Sequence, residues 1–356
     1  MSYPSKTRLL TSVAAILAAG AVAHAATDIR GAGSTFVAPI MLKKWIPQYE
    51  KTHPHVEIDY QAVGSGTGIK DITAQTVNFC GSDAPMTDSQ MRHTPTAVLH
   101  FPEVAGPVVM SYNLPGVPPS THVHLDGKTL ANIYLGRIRH WDNSAIKALN
   151  PNVTLPHLRI LVVHRSDGSG TTYIFTGYLS SVSKRWKQHV GQSTMVRWPA
   201  MGRGGNGSSG VAGIVQKTRG AIGYVEFAYA MDGHLPYALM VNKAGVPQKP
   251  TIHGVVVAQA ALVKHLPKDF RLPIINPPGK KAYPISGFTY LIIYKDMDYM
   301  RSHAKALATV KFIHWILTKG QNYAKSMQYA RLPSNMQKRL IAQLKTVTYK
   351  GQPLLK

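Results

Sequence analysis

Four short segments of this 356-residue chain gather hydroxyls, glycines and charge in a pattern suited to holding one small oxyanion. They are Gly33-Ser34-Thr35-Phe36, Gly64-Ser65-Gly66-Thr67-Gly68, Gly81-Ser82-Asp83 and Arg165-Ser166-Asp167-Gly168-Ser169-Gly170-Thr171. Three of them put a Ser or Thr among small residues directly before a stretch that reads as helix. Unpaired N–H groups and partial positive charge at a helix start attract anions. Thr35, Ser65, Ser169 and Thr171 offer hydroxyls, and Phe36 and Gly170 offer backbone N–H groups. Arg165 adds a planar guanidinium able to grip two oxygens, with Asp167 two residues on to hold it in place. Asp83 is the unusual member. A carboxylate repels an anion unless the anion carries a proton to share, so this set selects protonated phosphate over fully ionised oxyanions. A single Ser or Thr before a helix is ordinarily an N-cap and nothing more. Four such segments in one chain, with an Arg and an Asp included, ask for a ligand.

The elements expected to position these segments alternate between strand and helix. Apolar spacing predicts a helix over Ser34–Tyr49, a strand over Val56–Val63 leading into the second segment, a helix over Ile69–Gln75, and a short strand from Val77 that ends at Asp83. Val108–Asn113 reads as a strand and Leu158–Val163 as a buried strand aimed at Arg165, with a helix over Thr172–Ser181 behind it. The Gly204–Gly210 run reads as a chain break, Leu272–Lys281 as a Pro- and Gly-rich linker, Ile285–Tyr294 as a strand, and Ser334–Thr346 as a basic helix with a solvated outer face. Gly31-Ala32-Gly33 lacks the third glycine and the preceding strand of a dinucleotide fingerprint. The pattern is that of an α/β protein whose ligand lies beyond the carboxyl ends of the strands. Three binding segments precede the Val108 strand and one follows it, which predicts two lobes joined by two crossings, near residues 108–115 and 283–290. The expected organisation is a leader at 1–25, a discontinuous first lobe over 26–110 plus 284–356, and a second lobe over 111–283.

The leader has the form of a secretory signal: Lys6 and Arg8, an apolar run from Leu9 to Val22, and Ala23-His24-Ala25 as a small-x-small cleavage site. The run falls short of the roughly 20 residues that span a bilayer. Export to the periplasm is therefore expected. Cys80 is the only cysteine, so no internal disulfide forms, and its setting between Phe79 and Gly81 predicts a small buried hydrophobe. Forty Lys and Arg stand against 16 Asp and Glu, a formal net charge of +24. The basic residues are scattered, and neither zinc-finger spacing nor an RNA-binding aromatic motif occurs, so no nucleic-acid partner is expected. Scarce carboxylates fit a protein facing an acidic medium, and a basic surface also concentrates small anions. In an acidic medium Asp83 must stay ionised to work, and Arg165 with the nearby helix starts favours that. The alternating pairs His53/His55 and His122/His124 lack accompanying carboxylates and are expected to be exposed, so no metal site is assigned.

The stretches GAGSTFVAP, YQAVGSGTG, SDAPM, LDGKTLANIYLGRIRHWD, RSDGSGTTYIFTGYL and GAIGYVEFAYA, in this order, resemble the phosphate-binding protein of the high-affinity phosphate ABC transporter, the PstS family of type II periplasmic binding proteins. The resemblance covers nearly the whole chain after the leader. It implies two α/β domains joined by a two-strand hinge, with dehydrated phosphate held in the interdomain cleft. The implied ligand residues are Thr35, Phe36, Ser65, Asp83, Arg165, Ser169, Gly170 and Thr171, with Asp167 pairing the arginine and Asp83 accepting the proton that sulfate lacks. It further implies a monomeric receptor without catalytic residues, cofactor or metal, which delivers inorganic phosphate to an integral-membrane permease. Thr67 stands where the family commonly has glycine, His164 replaces a basic neighbour, and the region near 240–280 matches poorly and receives no function. The alternatives are a receptor for another tetrahedral oxyanion such as sulfate, molybdate or arsenate, or a secreted phosphatase using Ser169. No Gly-x-Ser-x-Gly elbow supports the enzyme.

Overall fold

The computed structural model describes residues 26–118, 120–263 and 265–356. The leader at 1–25 lies outside the described residues. Eight strands form one curled sheet: β1 (Thr27–Gly33), β2 (Val56–Gln61), β3 (Phe79–Ser82), β4 (Val98–Tyr112), β5 (Leu161–Arg165), β6 (Gly202–Gly205), β7 (Ala221–Glu226) and β8 (Ser286–Tyr294). Their spatial order is β2-β1-β3-β8-β4-β7-β5-β6. β1 runs parallel to β2 and β3, and β5 runs parallel to β6 and β7. β8 and β4 lie antiparallel between these two parallel groups.

The long strand β4 joins the two halves. Its first part, Val98 to Pro107, pairs with β8, and its last part, Val108 to Tyr112, pairs with β7. Each half has its own aromatic core. Tyr49 and Phe79 meet Phe312, which comes from the helix His303–Leu317, on one side. On the other, Phe175 stacks on Tyr224 and meets Tyr134 edge-on. The fold is thus α/β and two-lobed, and the site segments lie where the lobes meet.

Several elements depart from the sequence expectation. β1 is a full strand with Ile29 wholly buried, although the sequence pattern shows no strand leading into Gly31-Ala32-Gly33. Small residues are required there because a Cβ on Gly31 would lie 2.2 Å from the Phe79 ring. β4 begins ten residues before Val108. Pro102, Glu103, Gly106 and Pro107 hide it from a hydrophobicity pattern, and the ladder shifts register between Thr289 and Tyr290, opposite Pro102. Gly202–Gly205 is an edge strand and Gly207 opens a helix, so the glycine run is structured. The helix Ser334–Leu344 is not only a solvated face, since Met336, Leu340 and Leu344 are buried. Cys80 is fully buried, as expected.

Candidate functional site

The segments singled out in the sequence converge at the junction of the two halves. Thr35, Ser65, Asp83, Arg165, Ser169 and Thr171 are all buried. Two helix starts frame them. Gly64 precedes the helix Ser65–Thr73 in a left-handed conformation (φ +93°), and a Cβ there would lie 2.3 Å from Asp167 Oδ2. Ser169 caps the helix Gly170–Val182 by accepting from Thr172 N at 3.1 Å. Gly170 packs directly on the acid: a Cβ there would lie 2.6 Å from both Cβ and Oδ2 of Asp83.

Arg165 ends β5 with its guanidinium facing across the junction. Asp167 holds it by two parallel bonds, Nε to Oδ1 at 2.7 Å and Nη2 to Oδ2 at 2.5 Å. The remaining nitrogen, Nη1, donates to Thr35 Oγ1 at 3.1 Å and to Ser208 Oγ at 3.4 Å. Thr35 and Ser208 hydroxyls lie 2.9 Å apart. Tyr229 Oη donates to the Thr35 carbonyl at 2.7 Å, and Gly66 N donates to Gly168 O at 2.8 Å, so both halves contribute to one polar cluster. Phe36 N donates to Ser34 Oγ at 3.0 Å, while the Phe36 ring is fully buried. Thr171 Oγ1 is buried with no hydrogen-bond partner. A buried hydroxyl left unmatched is costly, and it marks a place where a ligand oxygen is welcome.

Asp83 faces this cluster from the end of β3. Ser34 Oγ donates to Asp83 Oδ1, and Asp83 N donates to Ser65 Oγ at 3.2 Å. Burial raises the Asp83 carboxyl from 3.8 to about 6, against the opposing pull of hydrogen bonds from Ser34, Thr289 and Ser65 and the charge of Arg165. The expected support from Arg165 is therefore present but outweighed by desolvation. Behind Asp83, Glu103 is wholly buried and accepts from the Thr289 hydroxyl at 3.2 Å. Burial pushes the Glu103 carboxyl well above the carboxylate range.

Ser34 and Ser208 belong to this cluster and were absent from the candidate set. Ser34 precedes the singled-out Thr35. Ser208 sits in the Gly-rich 204–210 run, which shares its makeup of small and hydroxyl residues before an amphipathic stretch with the other segments. That likeness was the available signal. Of the four paired histidines expected to be exposed only His55 is; His53, His122 and His124 are partly buried, His53 stacked on Tyr49 and His122 bonded to Tyr237 O at 3.0 Å. Among the described residues no group of three or more His, Cys, Asp or Glu could hold a metal ion.

A fold of two α/β lobes with a buried polar cluster between them defines the class of solute-binding proteins. Accordingly, a family model described as a PBP superfamily domain matches residues 19–319. The phosphate-binding protein PstS of Xylella fastidiosa is 39% identical over 314 residues, covering 88% of this chain and 84% of the relative. That of Methanocaldococcus jannaschii is 40% identical over 309 residues, covering 82% and 79%. The chain belongs to the family of PstS phosphate-binding proteins. A solved high-affinity periplasmic phosphate-binding protein with phosphate bound has the same fold, with a TM-score of 0.70 at 21% identity, covering 88% of this chain and 93% of that one.

Proposed function

We propose that this protein is a periplasmic receptor that captures inorganic phosphate in its interlobe cleft and hands it to the permease of a phosphate ABC transporter. The observation that carries the reading is the pairing, inside one buried cluster, of a donor set around Arg165 with a single acceptor, Asp83. Thr35, Phe36, Ser65, Arg165, Ser169, Gly170 and Thr171 present donors to the phosphate oxygens, with Asp167 fixing the guanidinium. Ser208 joins them, because its hydroxyl already shares the Arg165 Nη1 and Thr35 contacts. Asp83 takes the hydrogen of the bound phosphate. Sulfate, lacking that hydrogen, meets a bare carboxylate.

In this reading the anion enters between groups that otherwise touch one another, so binding and lobe closure are one equilibrium shifted by the ligand. The residues 26–110 plus 284–356 act as one lobe and 111–283 as the other, with β4 and the approach to β8 as the crossings. Transport without chemistry suits the serines. Ser34, Ser65, Ser169 and Ser208 bond to backbone N–H groups, Asp83, Thr35 and Arg165 rather than to an imidazole. His164, the nearest in sequence, stacks on Trp198 at 5.0 Å. Among the described residues no helix is long and apolar enough to cross a membrane.

Isothermal titration with phosphate, arsenate and sulfate tests the reading, alongside an assay for release of phosphate from a phosphomonoester. Phosphate should bind one per chain, sulfate should fail to displace it, and no hydrolysis should appear. Asp83→Asn should lose discrimination against sulfate more than it loses phosphate. Equal binding of sulfate by the unmodified protein would remove the reading.

A further inference from the structure

Asp83 is aimed by a turn that another part of the chain holds down. The turn connects β3 to the short helix Asp88–Arg92. Within it, Ser82 Oγ donates to Ala84 O at 2.5 Å. Met86 is gripped from both sides: its N–H donates to His100 Nε2 at 3.0 Å, and its carbonyl accepts from Arg271 Nη1 at 2.9 Å. The same guanidinium pairs with Asp88 Oδ1 at 2.7 Å and with Asp269 Oδ2 at 2.7 Å. One side chain thus ties the turn, the helix after it and its own segment together.

The segment that carries Arg271 lies between the helix Ile252–Val263 and β8, in the stretch whose sequence suggested no function. It is firmly seated. Arg339 Nη2 donates to Pro267 O at 3.1 Å, and the Arg339 guanidinium lies 4.9 Å from the Phe270 ring centre. Tyr290 Oη donates to Leu272 O at 3.1 Å. Phe270 is buried with φ +62°, a conformation that a bulky residue keeps only when its surroundings enforce it. Immediately beyond Arg271, Leu272 and Ile275 join Pro85, Tyr173 and Phe288 around a void of about 10 Å³ with Asp83 in its wall, room for one water at most.

We propose that Arg271 is a positioning residue for phosphate recognition: by fastening the 267–272 segment to the Met86 carbonyl and to Asp88, it keeps the Asp83 carboxyl aimed into the cleft and screened from water on its outer side. The proposal rests on the phosphate reading above. Releasing the clamp lets the turn relax and admits solvent behind Asp83, which weakens the geometric demand for a hydrogen-bearing anion. A purely structural Arg271 would lower thermal stability and leave selectivity alone.

The test compares the purified protein with Arg271→Ala, Arg271→Lys and Asp88→Ala, reading phosphate affinity by titration and the sulfate concentration needed to displace phosphate. Arg271→Ala should weaken phosphate about tenfold and lower the sulfate concentration required. Arg271→Lys should regain most of the selectivity, and Asp88→Ala should fall between. An unchanged phosphate-over-sulfate ratio in Arg271→Ala, even with a lowered Tm, overturns the proposal. If Arg271→Ala does not fold, an unchanged ratio in Asp88→Ala overturns it equally, because the Asp88 side chain is exposed and its loss spares the core. Failure of the unmodified protein to prefer phosphate would instead remove the underlying reading.

Discussion

The two sides of the cleft are built on opposite plans. On the cationic side, Arg165 closes one strand and is held by Asp167, two residues past the strand end. On the acidic side, Asp83 takes its contacts from Ser34, Ser65 and Thr289, and its turn is pinned by His100 and Arg271. The first arrangement is local and survives wherever the strand is formed. The second exists only when five distant segments have assembled. Burial among those distant segments moves the Asp83 carboxyl toward its neutral form.

Removing Arg165 should break the contrast most severely. Arg165→Ala leaves the partly buried Asp167 without its guanidinium partner and removes the one cation in the cluster. Phosphate affinity should fall about a hundredfold or more, corresponding to roughly 3 kcal/mol for truncating a buried charged partner. Asp167→Asn keeps the shape and loosens the grip, so a loss of only about tenfold is expected. Titration of both variants separates a cation that binds from an acid that orients it. Equal losses would show that the pair acts as one unit.

The acidic side should reveal itself through pH. The Asp83 carboxyl titrates near 6 in the folded chain against 3.8 for an ordinary aspartate, so between these values the folded state holds the extra proton. That contribution to stability is fully present below pH 3.8 and is lost as pH rises through about 6, amounting to about 3 kcal/mol. Glu103 and Glu226, both raised by burial, act with the same sign. Asp83→Asn should flatten the fall in denaturation midpoint between pH 4 and 6 when measured without phosphate. An identical slope in the variant would place the titration elsewhere.

Ser208→Ala should have the smallest effect. Its hydroxyl shares Arg165 Nη1 with Thr35, so Thr35 Oγ1 keeps a donor after the change. A loss of phosphate affinity of about threefold is expected, in line with one neutral hydrogen bond. A loss as large as that of Arg165→Ala would mean that the 204–210 run, rather than β5, organises the cationic side.

The sequence carried the chemistry wherever it was written locally. Hydroxyls before helix starts, the Arg165–Asp167 spacing and the Asp at a strand end could be read because each depends on neighbours within a few residues. Elements whose pattern is interrupted for packing reasons were hidden. β1 gave no strand signal because Phe79 leaves Gly31 no room for a side chain, and the first part of β4 was masked by prolines at an irregular ladder. Ser208 was missed because a glycine-rich run reads as a break until a helix is seen to begin inside it.

Composition, periodicity and motif spacing by themselves determined an α/β chain with four polar loops, one guanidinium and one carboxyl suited to an oxyanion. Tertiary structure alone decided that Asp83 is dry, that Thr289, His100 and Arg271 surround it or its turn, and that Ser208 reaches the same cluster. The reason is that desolvation and long-range hydrogen bonds depend on which distant residues become neighbours, and no local pattern encodes that adjacency.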